Sequence, residues 1–535
     1  MKVLVAFVLA AITVAMAAGY GVTTRPILAD NQLYFFMTER CASGTPPHVS
    51  QMEVKTQLPT LIGGAAIALG RLGGADDILS GRAASVTAAF AAALFGWLLA
   101  LSVTRNAGAS PVAATAAGLV GAAAMFSIHG LFAEASSGFQ PKVFMVAFLL
   151  AAHWLCAERR ALAAGVAGAC AFLCWQPAGL VLASCGLALL LDRRTSWTSL
   201  ARFVAGALVV FVAYEAWFAW NGALQEQLHQ EWRLAFGAPH KDKVFRDSLW
   251  FVLTESQAFQ SRPHGLPVVF VAATALLWLG LLFSARRGFA ALRERPGAVS
   301  FWTAAHIATA FTLYDHQAHP DMLLVQPYFA VACGIAAGWI FAFLDRFRAG
   351  ATPIVLLAAV FVCLGLLDAK NDVVRSWRGR TGLEAQRAMG RLVSLYYDHR
   401  GSVWALGSVH LLALNHRDNW VSVGNVGHET SQLDMKTFRP LRDGQMPEII
   451  LSGRGLRPGH NSWLQAEYID ITPAPLAGAR VRVFSRRSSD QPGFARSTAP
   501  KAARGPQSTK PPAAGKQPAK PPTMSQRPTP QRSQP

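Results

Sequence analysis

The chain has 535 residues, of which 52% are hydrophobic and 15% charged, with 49 basic against 30 acidic side chains. Soluble domains carry about a quarter charged residues, so this composition argues against a cytosolic globular enzyme. The last 45 residues hold eight of the basic side chains and no acid. Much of the remaining basic excess lies in short loops between apolar runs, as in membrane proteins that follow the positive-inside rule. Nucleic-acid binding therefore explains the charge poorly.

Eleven apolar stretches are long enough, or nearly so, for the roughly 20 residues that a straight membrane span needs. They cover residues 3–20, 83–103, 111–128, 142–157, 161–174, 177–191, 203–221, 266–285, 299–313, 322–343 and 352–369. The first also fits a cleavable signal peptide, but we expect an uncleaved helix because an informative polar loop follows it. A shorter Gly-rich stretch, 58–72, is expected to lie at the membrane interface.

Arginines in alternate connections indicate the orientation. These are Arg105, Arg159, Arg160, Arg193, Arg194, Arg286, Arg287, Arg293, Arg295, Arg346 and Arg348. With eleven spans, all of them fall on one face, which the positive-inside rule makes cytoplasmic. The opposite, exoplasmic face then receives loops 21–82, 222–265 and 314–321 and everything after 370. We therefore expect a multi-pass protein of the inner (plasma) membrane whose polar loops face outward.

The sequence changes character after residue 370. Alternating runs at 402–406, 448–451 and 479–484 predict strands, with helical patterns near 384–398 and 461–469 between them. A small exoplasmic α/β domain is therefore expected over 371–486, after a transmembrane domain over 1–370. From 487 to 535 Pro, Lys, Gln, Ser and Ala dominate, a composition that predicts a disordered tail. The predicted fold class is an all-α polytopic membrane protein with this small domain and tail appended.

Two residues of the first exoplasmic loop suggest chemistry. Asp30 stands about ten residues beyond the first span, at the start of an amphipathic helical pattern. It could cap that helix, or act as a carboxylate that takes a proton from a hydroxyl at the lipid–water boundary. Lys55, just before the stretch 58–72, could extend its ammonium out of the apolar layer or pair with a lipid phosphate. The residues alone leave both alternatives open.

The other exoplasmic loops offer further candidates. Histidines three apart can share a helix face, so His316 and His319 with Asp315 and Asp321 could hold a divalent metal; they could equally be hydrated loop residues. Loop 222–265, with cations such as Arg262, could cover a cavity mouth and attract an anionic ligand, or be an ordinary charged surface. His129, Glu134 and Lys142 lie in the short link from 129 to 142. They could form part of a cavity wall, or they could be ordinary polar loop residues.

The order of these features resembles a known family. A membrane helix, an Asp-led amphipathic helix at 26–40, a Lys/Pro segment at 51–59, a second interfacial helix and an Arg-flanked span follow one another. This resembles the N-terminal half of the polyprenyl-phosphate-sugar-dependent glycosyltransferases of the GT-C fold, nearest to the protein mannosyltransferases and the aminoarabinose transferases that modify lipid A. The stretch 172–180 resembles the break between two helices in bacterial members, and 315–328 resembles their late loop. The resemblance covers most of residues 1–370.

The resemblance implies roles for particular residues. Asp30 matches the catalytic carboxylate, and Asn31 stands where members often have a second acid, which argues against a role that needs paired acids. Lys55 matches, more loosely, the lysine that contacts the carrier phosphate in some members. There Glu directly precedes the lysine and Pro follows it, whereas here Glu53 is two residues before it and Pro59 four after it. By the same resemblance the late loop lines the cavity and helps to bind donor phosphate or acceptor.

The implied activity is that of an inverting transferase. It would move a hexosyl or pentosyl group from a polyprenyl phosphate to a hydroxyl of an envelope glycan, lipid or protein, with Asp30 as general base and with no nucleotide. Its partners would be membrane lipids, the lipid-linked donor and the acceptor, and a divalent metal is an open possibility. One alternative is a transporter or flippase, but transporters place ionisable groups within their spans, where this chain has mainly Glu215. Another is a non-catalytic scaffold that binds anionic wall polymers.

Overall fold

This computed structural model describes residues 2–27, 30–192, 194, 197–234, 294–314, 319–346, 351–375, 382–397, 402–406, 408–419, 447–452, 468–472 and 481–487. Residues 1–486 form one compact unit. The predicted span 266–285, the residues Arg262, Asp315 and His316, and the predicted tail beyond 487 lie outside the described residues. The domain boundary near residue 370 stays a prediction.

Helices cover the other ten predicted apolar stretches. In chain order they are α1 (Lys2–Gly19), α2 (Asp30–Ala42), α3 (Pro47–Ser50), α4 (Leu58–Leu72), α5 (Asp77–Asn106), α6 (Pro111–Phe126), α7 (His129–Ser137), α8 (Pro141–Ala157), α9 (Ala161–Cys174), α10 (Gly179–Leu191), α11 (Trp197–Trp220), α12 (Leu224–Leu228), α13 (Pro296–Tyr314), α14 (Gln326–Arg346) and α15 (Ala351–Arg375). Three short helical segments of other pitch lie among them, at Gln176–Ala178, His229–Leu234 and His319–Leu324.

Five of the described helices are long and apolar enough to cross a membrane. They are α1, α5, α11, α14 over Gln326–Asp345, and α15 over Ala351–Asn371. Helices α6 and α7 also qualify as a pair, although the chain bends by 58° between them. Helix α4, α8, α9 and the segment Gln176–Leu191 are apolar but shorter. The helical, membrane-type architecture is therefore present, and the number of eleven spans stays a prediction.

Small residues let the helices of the bundle approach closely. A Cβ on Gly165 of α9 would collide with the backbone carbonyl of Phe203 in α11, and one on Gly206 of α11 would collide with the carbonyl of Leu162. The two helices therefore meet backbone to backbone at reciprocal glycines. Helix association in lipid depends on such packing because lipid tails supply no hydrophobic force between helices.

The C-terminal sheet region comprises α16 (Leu383–Tyr397), α17 (His410–Ala413) and strands β1 (Val403–Leu406), β2 (Ile449–Ser452), β3 (Tyr468–Asp470) and β4 (Arg482–Arg486). The strand order is β1-β2-β4-β3. Strands β1 and β2 are parallel, with Trp404 opposite Ile450, and the other two pairs are antiparallel. Three strands coincide with the predicted runs, so the small sheet is confirmed. Its apolar residues share one core with Leu33 and Phe36 of α2, which places that helix against the sheet region.

Candidate functional site

Asp30 is the first residue of α2, and its side chain is exposed. Most residues of the helix after it are buried, among them Leu33, Tyr34 and Phe36. The apolar residues fix α2 in place, so the carboxylate at its beginning has a defined position while remaining open to a ligand. An acid in the first turn is also favoured by the positive end of the helix dipole.

Lys55 lies beside the first turns of α2. Its ammonium donates a hydrogen bond to the hydroxyl oxygen of Tyr34 at 2.7 Å, and its backbone N–H donates to the carboxylate of Glu53 at 3.2 Å. Burial lowers the pKa of Lys55, but the charges of Glu53 and Asp30 and the hydrogen bond to Tyr34 outweigh it and hold the pKa well above its usual value. Burial also raises the pKa of Tyr34. The site therefore contains a permanent positive charge and a neutral phenol close to the carboxylate.

The segment that carries Lys55 is fixed at four points. The Gln176 side chain donates to the Val54 carbonyl at 2.7 Å, Thr56 donates to the Phe172 carbonyl at 3.0 Å, the Gln57 N–H donates to the Tyr214 hydroxyl at 2.8 Å, and the Glu53 N–H donates to the Gln230 side chain at 3.0 Å. The first two contacts come from the short helix Gln176–Ala178 and from the last turn of α9. The other two come from α11 and from the segment His229–Leu234 after α12, so four elements define the position of the lysine.

A second lysine lies in the same region. Lys142, at the beginning of α8, is buried and forms an ion pair with Asp321 of the short helix His319–Leu324. Its ammonium also lies 4.3 Å from the centre of the Trp175 ring, within the range of a cation–π interaction. The charges of Asp321, Lys55 and Asp30 all act on it. The region thus combines one exposed carboxylate with two ammonium groups.

Glu134 of α7 provides a further acid. The side-chain amide of Asn31 donates to its carboxylate at 2.8 Å. The position at which the sequence resemblance implies a second acid is therefore occupied by an amide that contacts an acid from another helix. On the same short helix, His129 lies 3.2 Å from the Tyr20 hydroxyl. Glu134 of α7 thus contacts the first turn of α2, and His129 contacts Tyr20 just after α1.

The structure brings together Asp30, Glu53, Lys55 and Asp321 among the predicted site residues. Arg262, Asp315 and His316 lie outside the described residues, and although His319 begins a short helix, its side chain is not described. The metal site suggested for His316 and His319 is therefore untested. Sequence reasoning did not single out Tyr34 for the site. The spacing of four residues from Asp30, which places both on one face of a helix, was a signal that could have identified it.

One group of potential metal ligands occurs among the described residues, and it lies elsewhere. Ligand atoms of Glu39, Asp77 and His416 lie within 4.8 Å of one another. Arg71 already donates to Glu39 at 2.7 Å and to both carboxylate oxygens of Asp77 at 3.0 and 2.7 Å. The guanidinium thus occupies the cation's place, and the group is an ion-pair cluster that joins α2, α4 and α5 to His416 of the sheet region. It borders a cavity of about 560 Å³.

These groups permit one kind of chemistry. The Asp30 carboxylate can accept a proton from a hydroxyl, and ammonium groups that keep free N–H donors can bind phosphate oxygens. The described groups can thus supply a proton acceptor and cations for an anionic ligand.

Comparison with known proteins supports the fold. No family model matches the chain, and no curated protein matches its sequence. Its structure is similar to that of ArnT from Cupriavidus metallidurans in the apo state, with a TM-score of 0.54, 13% identity, and coverage of 90% of this chain and 97% of that chain. The same protein bound to undecaprenyl phosphate gives a TM-score of 0.55, 12% identity, and coverage of 90% and 98%. The GT-C fold implied by the sequence resemblance is thereby confirmed.

Proposed function

We propose that this protein is an integral-membrane glycosyltransferase that moves a sugar from a polyprenyl phosphate to a hydroxyl acceptor on the exoplasmic face. One observation carries the proposal: the ammonium of Lys55 is hydrogen-bonded to Tyr34, one helical turn after the exposed carboxylate of Asp30 on the same helix. The ArnT structure that contains undecaprenyl phosphate has the same fold, and it supports a carrier lipid of that class.

In the proposed reaction Asp30 is the general base. It accepts the proton of the acceptor hydroxyl while the acceptor oxygen attacks the anomeric carbon of the sugar. The bond between that carbon and the phosphate oxygen breaks, its electron pair stays on the oxygen, and the polyprenyl phosphate leaves. A single displacement of this kind inverts the anomeric configuration. Lys55 stabilises the phosphate in both states, and the neutral Tyr34 hydroxyl holds the ammonium in position.

Mass spectrometry of envelope glycolipids and glycans can test the proposal. A strain that lacks the protein should lose one sugar mass from a lipid or glycan, and the wild-type gene should restore it. Asp30→Asn should fail to restore it while the purified variant still binds undecaprenyl phosphate. Asp470→Asn, which removes an exposed carboxylate in β3, is the matched control and should restore the sugar fully.

Two results would count against the proposal. If the deletion strain shows the same glycolipid and glycan masses as its parent, the proposed transferase function is wrong. Full restoration by Asp30→Asn would leave the transferase in place but remove its general base.

A further inference from the structure

The ion pair between Lys142 and Asp321 needs an explanation other than stability. Both side chains are buried, and taking two charges out of water costs about as much free energy as their attraction returns. Replacing a buried pair with apolar residues is often neutral or stabilising. A buried lysine therefore points to a use for its charge.

The contacts around Trp175 connect this pair to the segment of Lys55. The Trp175 ring lies against the Lys142 ammonium, at 4.3 Å from the ring centre. The next residue, Gln176, donates to the carbonyl of Val54 at 2.7 Å, directly before Lys55. The short break between α9 and α10 thus contacts the Lys142 ammonium and the residue directly before Lys55. Lys142 and Lys55 also act on each other electrostatically, as does Asp30 on both.

Both ammonium groups keep donors for a ligand. An ammonium has three N–H groups. Within the described part of the chain, Lys55 donates one to the Tyr34 hydroxyl and Lys142 donates one to Asp321. The adjacent residues Trp175 and Gln176 contact the Lys142 ammonium and the residue before Lys55, so both cations belong to one region. Like charges repel, and an anion with more than one charge that contacts both would relieve the repulsion.

We infer that Lys142 is a second phosphate-binding residue, which serves the carrier phosphate in its monoester form. The inference rests on the proposed function. The donor is a phosphodiester with one negative charge; when the bond to the sugar breaks, the electron pair stays on the phosphate, and the leaving monoester carries about two charges at neutral pH. Lys55 stabilises the negative charge that the phosphate carries throughout, and Lys142 stabilises the negative charge that develops on it during the reaction. An interaction of that kind favours the transition state over the bound donor.

Two lipids that differ by one charge test the inference at pH 8: undecaprenyl phosphate, a dianion there, and its methyl phosphodiester, a monoanion. Binding affinities of the purified full-length protein are measured for both. The wild-type protein should prefer the monoester by about 10-fold or more, the ratio expected for one charge-assisted hydrogen bond. The double variant Lys142→Met with Asp321→Asn removes both charges of the pair together, and it should lose the preference while still binding the diester.

Two single variants complete the design. Lys370→Met removes an exposed lysine of α15 and should leave both affinities unchanged. Asp321→Asn keeps the ammonium and should keep the preference; if it loses as much as the double variant, the pair is only structural and the inference is wrong. An unchanged preference in the double variant would also overturn it, with the proposed function intact. A wild-type protein that binds neither lipid would overturn both.

Discussion

Replacement of Lys55 by Met gives the most direct test of the proposed phosphate site. Met has a similar length and no charge, so the change removes the ammonium with little change in packing. One of its N–H groups bonds to Tyr34 at 2.7 Å, which leaves two for the phosphate. A hydrogen bond to a charged group contributes about 1.5–3 kcal/mol, so loss of a single one should weaken binding of undecaprenyl phosphate by about 10- to 150-fold.

The assay is direct binding of undecaprenyl phosphate to the purified protein, with thermal unfolding measured in parallel because the buried Glu53 loses its neighbouring cation. Tyr34→Phe is the matched variant: it removes the phenol but keeps the ammonium, and it should change affinity far less than Lys55→Met. The pKa of Lys55 is raised, so its charge is lost only as pH rises through a value above 10.5. Affinity should accordingly not decline between pH 7 and 9 through this residue. Equal affinities for the wild-type protein and Lys55→Met would refute the assignment.

Two predictions concern the sheet region and its attachment. Arg71→Met leaves Glu39 and Asp77 without their shared guanidinium and should destabilise the protein by about 1–3 kcal/mol, which a lower unfolding temperature would show. Adding Glu39→Gln to this variant should recover part of the lost stability. An Arg71→Met variant as stable as the wild type would contradict the role of the cluster. Burial lowers the pKa of His410 to about 3. Below pH 6.5 the unfolded chain therefore takes up a proton that the folded chain does not, and the free energy of unfolding decreases as the pH decreases. From pH 6.5 to 5 the loss should be about 2 kcal/mol, and His410→Met should flatten that profile; a variant whose unfolding temperature falls as steeply as that of the wild type would contradict it.

The sequence predicted the fold correctly wherever a single residue pattern is enough to determine a helix or a strand. Apolar runs of helical length gave ten of the helices, and alternating residues such as those of 402–406 gave strands. The bend between α6 and α7 was not predicted, because it depends on how the two segments pack and because the apolar run from 111 to 128 continues almost up to it. The stretch 58–72 was separated from the spans by its length and glycines, and it forms the fifteen-residue helix α4.

The site was accessible only in part, for a physical reason. Asp30 and Lys55 stand out because each interrupts or precedes an apolar pattern. Lys142 offered no such signal: its partner Asp321 is 179 residues away, and its aromatic contact Trp175 is on another helix. Sequence periodicity reports which face of an element is buried, but it does not report which polar groups from distant elements meet. For this reason Lys142 could not be distinguished from ordinary loop polarity.

Helix α2 has Asp30, the proposed base, at one end and the Arg71 cluster near the other. Asp30 and Glu39 are about 14 Å apart along its axis, from a rise of 1.5 Å per residue. Glu39 is held by Arg71 at 2.7 Å and by His416 of the sheet region at 2.8 Å. A helix this short moves as a rigid rod, so a small tilt of the sheet region would displace the proposed base at the far end. Changes made in the sheet region would therefore alter the rate of the proposed transfer without changing Asp30 or Lys55.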